Sequence, residues 1–165
     1  MKVAAVPVDA RLALLLPGAG FADAYRVSGI APRLSARQAS LVIFDSPPQW
    51  INALMDLRNR IVGLFDLKAG VRPPSSAGHD NIGIFPVLSE SPGEILMGLD
   101  DRHLDFRLAV TVQADAGGAQ QVTVTTVVQT HNRLGRIYLT VIMPFHRLIA
   151  RSMLNQAART WHEST

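Results

Sequence analysis

The chain contains no cysteine. Disulfides, a thiolate nucleophile, zinc–thiolate sites and iron–sulfur clusters are therefore excluded. It also lacks a run of about 18 apolar residues, the length a membrane-spanning helix needs. Leu12 to Leu16 is apolar, but Asp9 and Arg11 interrupt the approach to it, and the shape is not that of a signal peptide. A soluble, cytoplasmic protein is the expectation. No nucleophile elbow, phosphate loop or dinucleotide fingerprint is present, and no internal repeat or low-complexity tract. Lys/Arg runs are missing, and the basic residues are not interleaved with aromatics, so nucleic acid is not an expected partner.

What is there is ordinary globular material. The 165 residues are 48% hydrophobic and 18% charged, enough to build a core and too apolar for disorder. One domain over 1–165 is expected, with 1–20 as an N-terminal extension. The net charge is +3. The excess lies late, since residues 116–165 hold five arginines and one acid, Glu163.

His103 to Met143 organises the rest. Leu104, Phe106, Leu108, Val110 and Val112 alternate with His103, Asp105, Arg107 and Thr111, the period of a half-buried antiparallel strand. After the Gly117-Gly118 loop, Val122, Val124, Thr126, Val128 and Thr130 share one side. A turn around Asn132 to Gly135 predicts a third strand with Ile137, Leu139, Val141 and Met143 on one side. Burial fixes the register, because a one-residue slip would invert every side chain. Phe106 then lies beside Val128, and Val128 beside Leu139. The other face aligns His103, His131 and Arg136, then Asp105, Gln129 and Tyr138. Upstream, Glu94 to Leu99 pairs through an Asp101-Arg102 turn, which puts Ile95 and Met97 on the apolar side and Asp100 beside His103. The sheet has one dry face and one wet face, and the dry face needs a cover of helices.

The remaining elements supply that cover. Phe21 to Ser28 alternates and predicts a first strand. Ser35 caps a helix reaching Phe44. Ser46, Pro47 and Gln49 predict the start of a second helix, to about Phe65, with Trp50, Leu54, Leu57, Ile61 and Leu64 as its apolar stripe. Residues 68–81 form a long Gly-, Pro- and Ser-rich loop, and Ile82 to Leu88 a kinked or edge strand. Pro144 ends the sheet and opens a last amphipathic helix, with Phe145, Leu148, Ile149, Met153 and Ala157 on one face. Residues 145–160 are expected to pack on the dry face.

The order is strand, two helices, several strands, long C-terminal helix. It resembles the α+β helix-grip, or START-like, fold, in which a curved antiparallel sheet wraps around a long C-terminal helix. The stretches Phe44-Asp-Ser-Pro-Pro-Gln-Trp50, Leu57-Arg-Asn59, Asp101-Arg-His-Leu-Asp-Phe-Arg107 and Pro144-Phe-His-Arg147 look like an uncharacterised bacterial family related to START-like and polyketide-cyclase-like proteins. The likeness covers roughly residues 20–160. It implies a cavity between sheet and last helix, and it carries no catalytic motif or cofactor to transfer.

Three functional readings follow. The first is a binding module for a small apolar or amphipathic molecule. Its cavity is lined by Phe106, Thr126, Thr130, Leu139, Ile149 and Met153, with Trp50 and Leu54 toward one end, and the threonine hydroxyls orient the ligand. The second is a cyclase- or hydratase-like enzyme in the same cavity, which needs a titratable group pointing inward. The third is an interaction or self-association module, such as a homodimer. The sharpest polar constellation is Asp100, His103, Asp105, His131 and Arg136. Two histidines and a carboxylate have the chemistry of a divalent-metal site. On a wet face they read as a solvated cluster that holds no metal tightly.

Overall fold

The structure is a computed structural model that describes residues 2–31, 33–45, 47, 49, 50, 52 and 80–163. It is α+β: a seven-stranded, wholly antiparallel open sheet gripping one long C-terminal helix. In chain order the elements are β1 (Ala4–Ala5), α1 (Ala10–Ala13), β2 (Phe21–Ile30), α2 (Ala36–Phe44), β3 (Asn81–Ile82), β4 (Phe85–Ser91), β5 (Glu94–Asp100), β6 (Leu104–Ala114), β7 (Gln120–Thr130) and α3 (Arg133–Glu163). The expected second helix and most of the 68–81 loop lie outside the described residues.

Strands β3 to β7 form a meander, and β2 closes against β7, giving the order β1-β2-β7-β6-β5-β4-β3. The β6–β7 register is the expected one, with Phe106 opposite Val128 and Leu108 opposite Thr126. Pairing of β5 with β6 differs by two residues: Asp100 lies opposite Asp105 and Leu99 opposite Phe106. The loop is longer than the Asp101-Arg102 turn, because that dipeptide lacks the glycine a two-residue turn requires. A two-residue shift preserves faces, so Ile95 and Met97 still point inward, and both are fully buried.

The predicted strand 137–143 is instead the first half of α3, which runs unbroken through Pro144. The place beside β7 belongs to β2, with Phe21 opposite Val128, so Leu139 and Arg136 have no strand register. The physical reason lies at Asn132. Its side-chain oxygen accepts the Gly135 N–H at 2.9 Å and its carbonyl accepts the Arg136 N–H at 3.2 Å. Asn132 is thus a helix cap and not a hairpin turn. Gly135 is required by close approach, since an added Cβ would run into the backbone carbonyl of His103.

The inner face carries the core. Val27, Val110, Val122, Ile95 and Met97 of the sheet pack in one cluster with Ala36, Ala39 and Ile43 of α2 and Leu154, Ala157, Ala158 and Trp161 of α3. Ser35 caps α2 through a reciprocal pair with Gln38, at 3.2 and 2.9 Å, which makes Ser35-x-x-Gln38 a capping box. In β2 a bulge at Gly29, with φ of 81°, turns Ile30 back into the core. Phe44, Phe85 and Phe106 stack edge-to-face at 5.4 and 5.8 Å between centroids.

The outer face is not uniformly wet. α1 packs against β7 and buries Leu12. Along this face Ala24, Ala109, Thr125 and Val127 are buried as well. Asp9 caps α1 by accepting the Arg11 N–H at 2.8 Å, and Arg11 pairs with Glu94. A four-residue helix held by its N-cap and this ion pair is stable only as part of the packed sheet.

Candidate functional site

The outer polar residues separate into short local contacts. His131 Nε2 meets Asp105 Oδ1 at 2.9 Å. Asp105 also accepts the Asp101 N–H at 3.1 Å. Asp100 pairs with Arg107 at 2.6 Å. His103 Nδ1 lies 3.0 Å from Asn132 Nδ2, and Arg136 is exposed on the first turns of α3. His103 and His131 thus have different partners, and among the described residues no three His, Asp or Glu side chains converge. Each contact closes a loop or fixes the start of α3.

The inward residues are arranged differently. Thr126 is buried on β7, and Thr130 is half-buried beside Gly135. Phe106 and Met153 pack on the same core cluster. Leu139 and Ile149 are half-buried on α3, and Trp50 is partly exposed. Leu54 lies outside the described residues. A half-open depression of about 290 Å³ sits elsewhere, at the end of α3, lined by Asn155, Ala158, Arg159, His162 and Glu163.

Between β2 and α3 lies a polar group that the sequence reading did not single out. Asp23 follows the inward parity of Phe21, Tyr25 and Val27, and its cross-strand neighbour is Thr126. His146 comes down from α3, with Nε2 3.2 Å from Asp23 Oδ1. The edge of one ring meets the face of the other where His146 packs on Phe21, centroids 5.8 Å apart and planes at 87°. This contact fixes the imidazole plane. The Arg151 guanidinium lies over the Tyr25 ring, 5.4 Å from its centroid. Burial pushes the Tyr25 hydroxyl up, and the Asp23 carboxylate beside it adds to the rise, against Arg151 and Arg147. The remaining oxygen, Asp23 Oδ2, is buried and accepts no hydrogen bond of normal geometry, although a looser hydrogen bond between the Tyr25 hydroxyl and this carboxylate contributes to the Tyr25 rise.

An unmatched buried carboxylate oxygen is unusual, because burial removes water's hydrogen bonds and the protein normally supplies replacements. Thr126 is the cross-strand neighbour of Asp23, and Phe21, Tyr25, His146 and Arg151 belong to the same cluster. The signal for Asp23 was present in the sequence as a charge at an inward position of an alternating strand. His146 was hidden by the misplaced helix start. Read on a helix from Arg133, it falls on the face of Met143, Ala150 and Met153.

Among the described residues, no helix is long and apolar enough to cross a membrane. No curated protein and no solved structure matches the chain. Residues 15–153, which run from before β2 into the buried half of α3, match a family model: the chain belongs to the family described as protein of unknown function, DUF2867.

Proposed function

We propose that the chain binds a small amphipathic molecule between the inner face of the sheet and α3, anchored through a hydroxyl or amine donor on Asp23. The observation that carries this reading is the buried, unpartnered Asp23 Oδ2. A ligand donor would supply the missing hydrogen bond, and hydrogen bonds to charged groups contribute about 1.5–3 kcal/mol. Apolar burial of the rest of the molecule, at about 25 cal/mol per Å², would supply the bulk of the affinity. Phe106, Thr126, Ile149 and Met153 are the side chains proposed to surround it, with Thr130 and Leu139 toward the start of α3. This is the ligand chemistry that a helix-grip, START-like relationship would also favour.

The test is calorimetric titration of the whole chain with a medium-chain alcohol and with its methyl ether, which cannot donate. The alcohol should bind roughly tenfold tighter. Asp23→Leu should erase the difference. Thr126→Phe should abolish both while the protein stays folded. Equal affinity of alcohol and ether for the wild type, or no binding of either, sinks the reading.

A second reading, acid–base catalysis in the same place, is favoured by the Asp23–His146 pair. A carboxylate on Nε2 fixes the imidazole tautomer and leaves Nδ1 as the base. His146 would then take a proton from the carbon beside a ketone carbonyl, leaving an enolate, and return a solvent-derived one. Deuterium exchange into a medium-chain ketone, followed by NMR, measures this. An exchange rate equal to that of His146→Gln would remove the enzymatic reading and leave binding alone.

A further inference from the structure

The first half of α3 is apolar on two sides, and among the described residues the sheet accounts for only one. Leu134, Ile137, Val141, Phe145 and Leu148 follow one another at helical intervals of three and four residues. At 100° per residue they fall within an arc of about 80°, roughly 21 Å long. Their exposures are 37, 62, 62, 45 and 56%. The opposite side of the same helix holds the residues that meet the core, ending in Leu154, Ala157 and Trp161. A helix with apolar residues on both sides is normally covered on both, and a contiguous exposed patch of this kind marks an interaction surface.

Charge says what kind of partner covers it. Arg133, Arg147 and Arg151 are exposed and border one edge of the stripe, and α3 has no acid before Glu163. We infer that this stripe is a docking surface for an acidic amphipathic helix of another protein, with apolar residues in the seam and carboxylates facing the arginine edge. A stripe this narrow at three–four spacing has the dimensions of a helix–helix seam, in which the bordering charges select the partner. An antiparallel second copy fits poorly, because that two-fold pairing of α3 with itself would set arginine edge against arginine edge. A lipid surface fits poorly as well, because interfacial helices present a broad apolar face and keep a free polar face, whereas the far side of α3 is occupied by the sheet. The apolar stripe faces away from Asp23, although Arg151 at its edge also lies over the Tyr25 ring of the inner cluster.

The test uses the whole chain and a synthetic helix of leucine seam and glutamate edge, with a twin in which lysine replaces glutamate. The acidic helix should bind, more weakly as salt rises, and the lysine twin should bind roughly tenfold less tightly or worse. Val141→Glu should abolish binding and leave the melting temperature of the chain unchanged. Failure of the acidic helix to bind, or equal binding of the twin, overturns the inference. So does a fall in melting temperature with Val141→Glu, which would mean that the stripe is covered within the chain. A dimer in sedimentation that Val141→Glu dissolves would assign the stripe to a second copy. Binding to phosphatidylglycerol vesicles that Val141→Glu removes would assign it to lipid.

Discussion

Asp105–His131 and Asp23–His146 are the same two side chains, joined through the same two atoms, on opposite faces of one sheet. The outer pair is 2.9 Å long and the inner 3.2 Å. Their carboxylates are almost equally shielded, at 17 and 15% side-chain exposure. What separates them is the rest of the hydrogen bonding. Asp105 also holds the Asp101 N–H, so it closes the β5–β6 loop. Asp23 has one oxygen on His146 and the other buried without a hydrogen bond of normal geometry. The outer pair also joins residues already neighbours through β6 and β7, whereas the inner pair ties β2 to a helix 123 residues further along. A histidine–carboxylate pair is therefore no site by composition alone. What distinguishes the inner one is that its unspent carboxylate oxygen is buried, between β2 and α3.

The largest test of this contrast removes the inner pair's support and leaves the outer one standing. Leu154 is fully buried where α3 meets the core. Leu154→Asp should reduce stability by about 3–5 kcal/mol, because it buries a charge without a partner. Trp161, buried about two turns further along the same face, should then shift its emission to the red. His131 and Asp105 are held by the β6–β7 ladder, so their resonances should keep their native positions in whatever folded sheet remains. An unchanged urea midpoint would mean that α3 does not depend on this contact.

A smaller effect separates the two pairs by sign. Asp105→Ala strands the Asp101 N–H and should lower stability by about 1 kcal/mol. Replacing both inner partners, Asp23→Leu with His146→Leu, should leave stability unchanged or raise it by roughly 1–4 kcal/mol, since a buried polar pair often gives way to apolar side chains without loss. Urea denaturation of the two variants decides it. A loss in the double variant as large as in Asp105→Ala would make the inner pair a structural clasp and weaken its reading as a ligand anchor.

The sequence made some of this legible. The β6–β7 register could be read because both strands alternate cleanly and only one register buries both apolar sets. The inward position of Asp23 could be read from the same alternation in β2. The start of α3 could not. Ile137, Val141 and Ile142 are β-branched, and residues 137–143 carry apolar groups on both sides of a helix, which mimics a strand with one buried face. Asn132 then passes for a turn residue when it is a cap. That single misreading moved Leu139 and Arg136 onto a strand and left His146 at a helix start, when it lies 13 residues past Arg133, inside α3. The extra residues in the β5–β6 loop were hidden for another reason: a two-residue shift keeps every face correct, so burial cannot detect it.

The smallest effect is the most specific to the inner pair. Burial and the Asp23 carboxylate hold the Tyr25 hydroxyl above its ordinary value of 10.0. Below about pH 10 the hydroxyl is protonated in both folded and unfolded chains, and its contribution to stability is fully present. As pH rises past that point the unfolded chain gives up the proton while the folded chain keeps it, so stability falls until the folded hydroxyl also ionises. Tyr25→Phe removes the titration and should flatten the alkaline fall in urea midpoint. Asp23→Asn removes the second cause of the rise and should flatten it in part. Asp105→Asn, on the other face of the sheet, should leave the alkaline profile unchanged. If Asp105→Asn and Asp23→Asn alter that profile alike, the two pairs are not distinguished by what lies around them, and the inner cluster loses its claim to be the site.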